Sequence, residues 1–292
     1  MAEVLFDTVF DALADALAEG RVERKLAKVR DLAAAWQAGT LSLDGDSASV
    51  PSVTARGYPS KPPLVPPNEV PQRKSTTPEG LAALFHAIVH IEWSAIDLAL
   101  DHAYRFRGLP AEYYADWIAV AAEEAEHFTM LRDHLRGYGH DYGDFPAHDG
   151  LWQLNVRTGH DVLVRMALVP RLAEARGLDA SPPIQAKLKK VGDEAGVALL
   201  DIILRDEIGH VSLGDKWFRH LCAERGLPME ETYLRLMTEY QVPKPQPPIN
   251  EAARLQAGFS PLELSALGAA RAGNEKGDRA GDGNHDDRRS SP

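Results

Sequence analysis

Apolar residues recur at helical spacing along most of the chain, and no long segment alternates as a half-buried strand does. Two short amphipathic helices are predicted at 4–19 and 21–38. Five further patterns predict helices at 78–106, 111–137, 151–176, 193–225 and 229–240. The pattern therefore predicts an all-α protein in which four long helices can share one core.

Proline and glycine positions refine the second half of this prediction. Pro170 should kink the helix at 151–176, because its ring removes a backbone hydrogen bond, and Gly177 should end it. Residues 178–192 are then a connector, in which Pro182 and Pro183 begin a short basic helix that Gly192 ends.

A proline-rich segment, 44–78, interrupts the helical pattern near the N-terminus. It is either a disordered linker or an extended strap, and Leu64, Val65 and Val70 favour a strap because they offer apolar anchors. The predicted organisation is N-terminal helices at 1–43, the strap at 44–78, a four-helix bundle at 79–225, a C-terminal helix and extension at 226–268, and a disordered tail at 269–292.

Composition narrows the function classes. The formal charge of −11 disfavours broad contact with nucleic acid or anionic membranes. The single cysteine, Cys222, excludes an intrachain disulfide and a cysteine-built zinc or iron–sulfur site, as expected in a reducing cytoplasm. The N-terminus lacks the basic and apolar regions of a signal peptide, and we expect no membrane span because charged residues interrupt the apolar runs.

Two Glu-x-x-His motifs carry the candidate chemistry. Glu124 and His127 form the first, and Glu207 and His210 form the second. Residues three apart share a helix face, so a carboxylate and an imidazole can grip one ion from a single helix. The short motif is weak by itself, but both copies interrupt apolar faces, where unpaired charges are costly. Metal ions are natural partners for such groups.

Each motif follows a helix that carries one more inward glutamate. Glu92 precedes the first motif and Glu174 the second, so two similar units supply four carboxylates and two imidazoles. This is the ligand set of ferritin-like dimetal bundles. It predicts an antiparallel four-helix bundle that binds two metal ions. Oxygen and imidazole ligands without thiolates favour iron, with manganese as the alternative.

Acidic neighbours of the motifs are candidates to orient the histidines. Asp206 is predicted to reach His127 across the bundle, since metal-bound imidazoles commonly donate their second N–H to a carboxylate. Glu123 is a weaker candidate for His210, and a plain solvated charge is the favoured interpretation there. His86 and His90, one turn apart, are interpreted as satisfied core or surface histidines rather than as lining a channel or the site.

Several stretches resemble a bacterial ferritin-like family known as domain of unknown function 455. The clearest are HAIVHIEWSAIDLALDHAYRFRGLP, EEAEHFTMLRDHLRGYGHDYGDFPAHDGLW, LVPRLAEARGLD and LRDEIGHVSLGDKWF, with KPPLVPPNEVPQR and INEAARLQAGFS in support. The resemblance covers roughly 5–265. It implies a ferritin-like bundle whose ligands map onto the six residues named above. The pattern is also similar to diiron tRNA hydroxylases and other O2-activating diiron oxygenases.

These observations favour an O2-activating diiron oxidoreductase that hydroxylates or otherwise oxidises an organic substrate. The alternatives are iron storage or peroxide detoxification of the ferritin or rubrerythrin kind, and a helical adaptor with a degenerate site. The substrate is a small molecule or an RNA. The basic residues Lys187, Lys189 and Lys190 favour RNA, whereas the negative net charge of the chain disfavours it. An electron donor is required, and a homodimer is compatible with the pattern.

Overall fold

The computed structural model describes residues 6–44, 56–71, 73–74 and 76–274. Within these ranges the regular structure is helical, and β-pairing is limited to two isolated bridges, Thr8–Ser42 and Leu64–Ala147. The all-α prediction is confirmed. The predicted tail beyond residue 274 and part of the predicted strap lie outside the described residues.

The helices follow the predicted order. They are α1 (Val9–Ala18), α2 (Val22–Gln37), α3 (Pro78–Arg105), α4 (Ala111–Gly137), α5 (Gly150–Arg157), α6 (Val162–Leu168), a π-helix (Val169–Glu174), α7 (Ala175–Val191), α8 (Glu194–Glu224), α9 (Met229–Glu239), α10 (Glu251–Gln256) and α11 (Pro261–Asn274). Helices α3 and α4 pack most extensively on each other, α7 packs on α8, and α1 and α2 cover α3 and α4.

Helix α3 is the centre of the core. The Thr77 hydroxyl accepts from the Gly80 N–H at 3.1 Å, and Pro78 occupies the first helical position, which needs no intrahelical donor. The helix is long and apolar enough to span a membrane, with a mean hydropathy of 1.3, but 78% of that window is buried inside the protein. Among the described residues it is the one helix of this kind, and its burial is consistent with a soluble protein.

The predicted helix at 151–176 differs from the observed structure. A turn at 158–161 separates α5 from α6, and Gly177 lies within α7. Helix α7 continues through Pro182 and Pro183, because tertiary contacts satisfy a carbonyl that proline leaves free. Pro182 has no N–H to donate to the Leu178 carbonyl, which instead accepts from Asn250 Nδ2 at 3.2 Å. As predicted, Gly192 ends the helix, with a φ of 80°.

Pro170 is accommodated by the π-helix, which widens the turn around the missing donor. The π-helix lies close to α8 at Gly214, where an added Cβ would come within 2.8 Å of Pro170 Cβ and 3.1 Å of Arg171 N. Glycine is therefore required for this approach. The close packing holds Glu174, the last residue of the π-helix, beside α8.

Residues 56–71 run along the helical body, but the expected anchors are not what hold them. Leu64 is 41% exposed, and Val65 and Val70 are only half-buried. Backbone hydrogen bonds help to hold the segment, since Val65 N–H donates to the Ala147 carbonyl at 2.8 Å. An extended proline-rich backbone can pair in this way without burying its side chains.

A buried charge network fixes the start of this segment. Asp97 of α3 accepts from Lys25 Nζ of α2 and, at 3.0 Å, from Arg56 Nη1. Arg56 also pairs with Asp149 at the start of α5. Lys25 and Asp97 are fully buried, so three separate parts of the chain converge on one carboxylate.

The C-terminal segments are attached by two further buried ion pairs. Arg254 of α10 donates to Asp179 at 2.6 and 3.0 Å, and Arg171 of the π-helix donates to both oxygens of Glu263 at 2.8 Å. Helix α11 continues to Asn274, past the predicted boundary at 268. The extension thus braces the π-helix and α7 from outside.

Candidate metal centre

Three long helices bring the two motifs and one further glutamate to the same level. Glu92 comes from α3, Glu124 and His127 from α4, and Glu207 and His210 from α8. The two residues of each motif lie one turn apart on the inward face of their helix. Four of the five are buried, and the Glu207 side chain is 13% exposed.

Glu124 lies between the two histidines. Its Oε1 is 3.0 Å from His210 Nδ1, and its Oε2 is 3.4 Å from His127 Nδ1. Glu92 Oε2 lies 3.8 Å from His127 Nδ1, and Glu207 Oε1 lies 3.8 Å from His210 Nδ1. The two imidazole centroids are 5.9 Å apart. Each imidazole therefore has one carboxylate of its own and shares Glu124 with the other.

The donor atoms fit a bound cation. Ligand atoms of Glu92, Glu124, His127 and Glu207 all lie within 4.8 Å of one another, a grouping able to hold a metal ion. Glu92 Oε2, Glu124 Oε2, His127 Nδ1 and His210 Nδ1 are buried without a hydrogen-bond partner. Buried polar atoms are normally paired, and a metal ion would satisfy these four together.

Glu174 lies at the edge of the group. It is half-buried on the π-helix, and burial together with the nearby carboxylates of Glu207 and Glu124 raises its pKa well above the usual range. It is not among the four residues whose donor atoms converge most closely. The structure thus gathers five of the six predicted ligands by direct contacts and brings Glu174 into electrostatic range of them.

Burial and mutual repulsion set the protonation of the carboxylates. Burial, reinforced by Glu124, raises the pKa of Glu92 well above its usual range and raises that of Glu207 as well. Burial also opposes the ionisation of Glu124, but the adjacent His210 and His127 outweigh it and lower its pKa. Glu124 is therefore the ionised centre of the cluster.

The neighbouring carboxylates raise the pKa values of the two histidines. Burial disfavours a charged imidazole, yet the nearby carboxylates of Glu124 and Glu92, 3.4 and 3.8 Å from Nδ1, raise the pKa of His127 to about 11. The pKa of His210 is also raised, because Glu124, Glu123 and Glu207 outweigh burial. Without a metal ion, protons on the imidazoles balance the carboxylate charge, and bound cations would displace them.

A second carboxylate holds the outer nitrogen of each imidazole. Asp206 Oδ2 lies 3.2 Å from His127 Nε2, the contact expected from the sequence. Glu123 Oε2 lies 2.7 Å from His210 Nε2, a contact that sequence reasoning had not favoured. With the Nε2–H donated to these carboxylates, both Nδ1 atoms face inward and can act as ligands.

A signal for Glu123 was present in the sequence. Each motif reads acid-Glu-x-x-His, and in each the leading acid pairs with the histidine of the other helix. This reciprocity follows from the antiparallel packing of α4 and α8. The two motifs therefore make equivalent contacts.

His86 and His90 serve the loop between α4 and α5. His86 Nε2 accepts from Gly143 N–H at 2.9 Å. His90 Nδ1 lies 3.0 Å from the Tyr142 hydroxyl, and its Nε2 lies 3.1 Å from the His148 carbonyl. Burial lowers the pKa of both histidines to about 4, so both are neutral near pH 7. These contacts agree with the core interpretation made from the sequence.

His86 should make folding stability depend on pH. Between pH 6.5 and about 4 the unfolded chain binds a proton at this histidine and the folded chain does not, so stability falls as pH falls. We expect the unfolding free energy of the native protein to drop between pH 7 and pH 5 by about 2 kcal/mol more than that of His86→Gln. Urea unfolding at both pH values measures this, and equal losses in the two proteins would refute it.

Comparison with known proteins places the chain in a family. Residues 18–265 match the family described as "Protein of unknown function (DUF455)". A protein of Haemophilus influenzae (strain ATCC 51907 / DSM 11121 / KW20 / Rd), described as an uncharacterized protein, is 46% identical over 231 residues, which cover 77% of this chain and 80% of that protein. No solved structure matches the chain. The match spans most of the described residues, including all six candidate ligands, and the chain belongs to the DUF455 family.

Proposed function

We propose that this protein is a ferritin-like dimetal carboxylate protein. In this proposal α3, α4, α8 and the segment from α6 through the π-helix to α7 form the four-helix bundle. The observation that carries it is the position of Glu124, whose two oxygens face the inward Nδ1 atoms of two different histidines. A carboxylate flanked in this way suits two cations better than one.

The ligands divide naturally into two sets that share Glu124. Glu92 and His127 would hold one ion, and Glu207, His210 and Glu174 would hold the other. Four carboxylates offset the charge of two divalent ions, which allows the cluster to lie in a core of low polarity. Oxygen and nitrogen donors without a thiolate favour iron or manganese.

We further propose an O2-dependent oxidation of an organic substrate. A bound pair of iron ions would supply electrons to O2 for that oxidation. The chain's own contribution is positioning: Asp206 and Glu123 fix the imidazole tautomers, and the buried apolar helix faces limit access by water. Glu207 and Glu174, which are less buried than Glu92 and Glu124, mark the side from which a substrate would approach.

Metal analysis tests this proposal. The full-length protein, reconstituted with ferrous iron without oxygen and then desalted, is expected to retain about two irons per chain. Admission of O2 should then change its optical spectrum. Zero retained iron and manganese would reject the metal centre, and a firm stoichiometry of one would reject the dimetal assignment. Zinc binding at one site only would count against redox chemistry.

A further inference from the structure

A cleft of about 630 Å³ lies between α2 and α4, on the opposite side of α4 from the bundle core. This volume is large enough for a small molecule, and the cleft is partly open to solvent. Ala115, Ala119 and Ala122 form its wall on α4, where small side chains leave the space between the helices unfilled. The half-buried ring of Trp36 faces them from α2. The cleft therefore offers an apolar wall and an aromatic surface to a ligand.

One end of the cleft is negatively charged. Glu123 and Glu126, both exposed, contribute carboxylates to its lining, and none of its lining residues is basic. An anionic ligand would be repelled here.

We propose that the α2–α4 cleft binds a small organic cation, with an ammonium group against Glu123 and Glu126 and an apolar body between Trp36 and the alanines. Carboxylates are the usual partners of an ammonium group, and tryptophan faces attract cations and aromatic rings. The proposal goes beyond the dimetal function and does not depend on it, because none of the groups it uses has to bind a metal.

The cleft is nevertheless connected to the candidate metal centre. Glu123 lies 2.7 Å from His210 Nε2, so an ammonium group beside Glu123 shares this carboxylate with a proposed ligand. Glu126, which lies within the cleft and has no such contact, is the better residue for testing cation binding alone.

Calorimetric titration of the full-length protein with three probes of one skeleton provides the test. We expect 4-phenylbutylammonium to bind about ten-fold more tightly than neutral 4-phenylbutanol, and 4-phenylbutyrate to show no binding. Glu126→Gln should weaken ammonium binding by about ten-fold, and Ala119→Leu, which fills the cleft at an exposed position, should abolish it.

Glu112→Gln is the matched control, because Glu112 is exposed on the same helix outside the cleft. It should bind the ammonium probe as the native protein does. Thermal unfolding should show that all three variants remain folded. The proposal is overturned if the three probes bind equally, if the ammonium probe does not bind, or if its affinity is unchanged in both Glu126→Gln and Ala119→Leu.

Discussion

Glu124→Gln is expected to lower the retained metal from about two ions to at most one per chain. The amide keeps the size of the side chain but removes the charge that both imidazoles face at 3.0 and 3.4 Å. An amide oxygen can bind one ion weakly, whereas its NH2 group repels the second. Loss of groups that merely orient ligands commonly weakens metal affinity by about 10–100-fold, so loss of this shared ligand should exceed about 100-fold.

Glu126→Gln provides the comparison for this experiment. It makes the same chemical change two residues further along α4, where the side chain is exposed and outside the converging ligands. It should retain both ions. Equilibrium dialysis against ferrous or manganous ions measures both variants. If Glu124→Gln holds two ions with native affinity, Glu124 does not bridge the site, and the dimetal proposal loses its main support.

The long helices and the clustering of the motifs follow from local sequence patterns. The apolar spacing along α3, α4 and α8 gave their bounds to within a residue or two, since long periodic segments leave little ambiguity. The same spacing places Glu124 and His127 on one face, and Glu207 and His210 on another. Once α4 and α8 pack antiparallel, these faces must meet.

The deviations arise where distant contacts override local preference. Gly177 was expected to end one helix and Pro182 and Pro183 to begin another, but α7 is continuous, and Asn250, about 70 residues away in the chain, donates to the Leu178 carbonyl that Pro182 leaves free. The π-helix depends on Gly214, a residue of a different helix. Local sequence cannot report such partners, because the hydrogen bonds that decide these helix bounds form only after the helices have packed.

The burial of charged residues was the feature least predictable from the sequence. Lys25, Arg56 and Asp97 look like ordinary surface charges in a helical or proline-rich context, yet all three are buried. The apolar residues of the proline-rich segment were the expected anchors, yet Leu64 is exposed and Val65 and Val70 are only half-buried. A charge is buried only where a partner of opposite sign arrives from elsewhere, so its burial depends on the whole fold.

Asp97→Asn should cause the largest loss of folding stability among single substitutions of this network. The carboxylate accepts from Lys25 and Arg56, both of which are buried. An asparagine offers one acceptor and turns its NH2 donors toward a cation, which leaves a buried charge uncompensated. We expect the unfolding free energy to fall by about 3–5 kcal/mol, as for other broken buried pairs. Urea unfolding at pH 7 measures the loss.

A double variant separates this cause from a general defect. Lys25→Met combined with Asp97→Asn removes the stranded ammonium, and the introduced amide can then present its oxygen to Arg56, which also keeps Asp149. The double variant should recover about 2 kcal/mol relative to Asp97→Asn alone. Asp133→Asn, at an exposed ion pair with Arg136 on α4, should change stability by less than about 0.5 kcal/mol. If Asp97→Asn behaved like Asp133→Asn, the buried network would not hold the proline-rich segment to the helices.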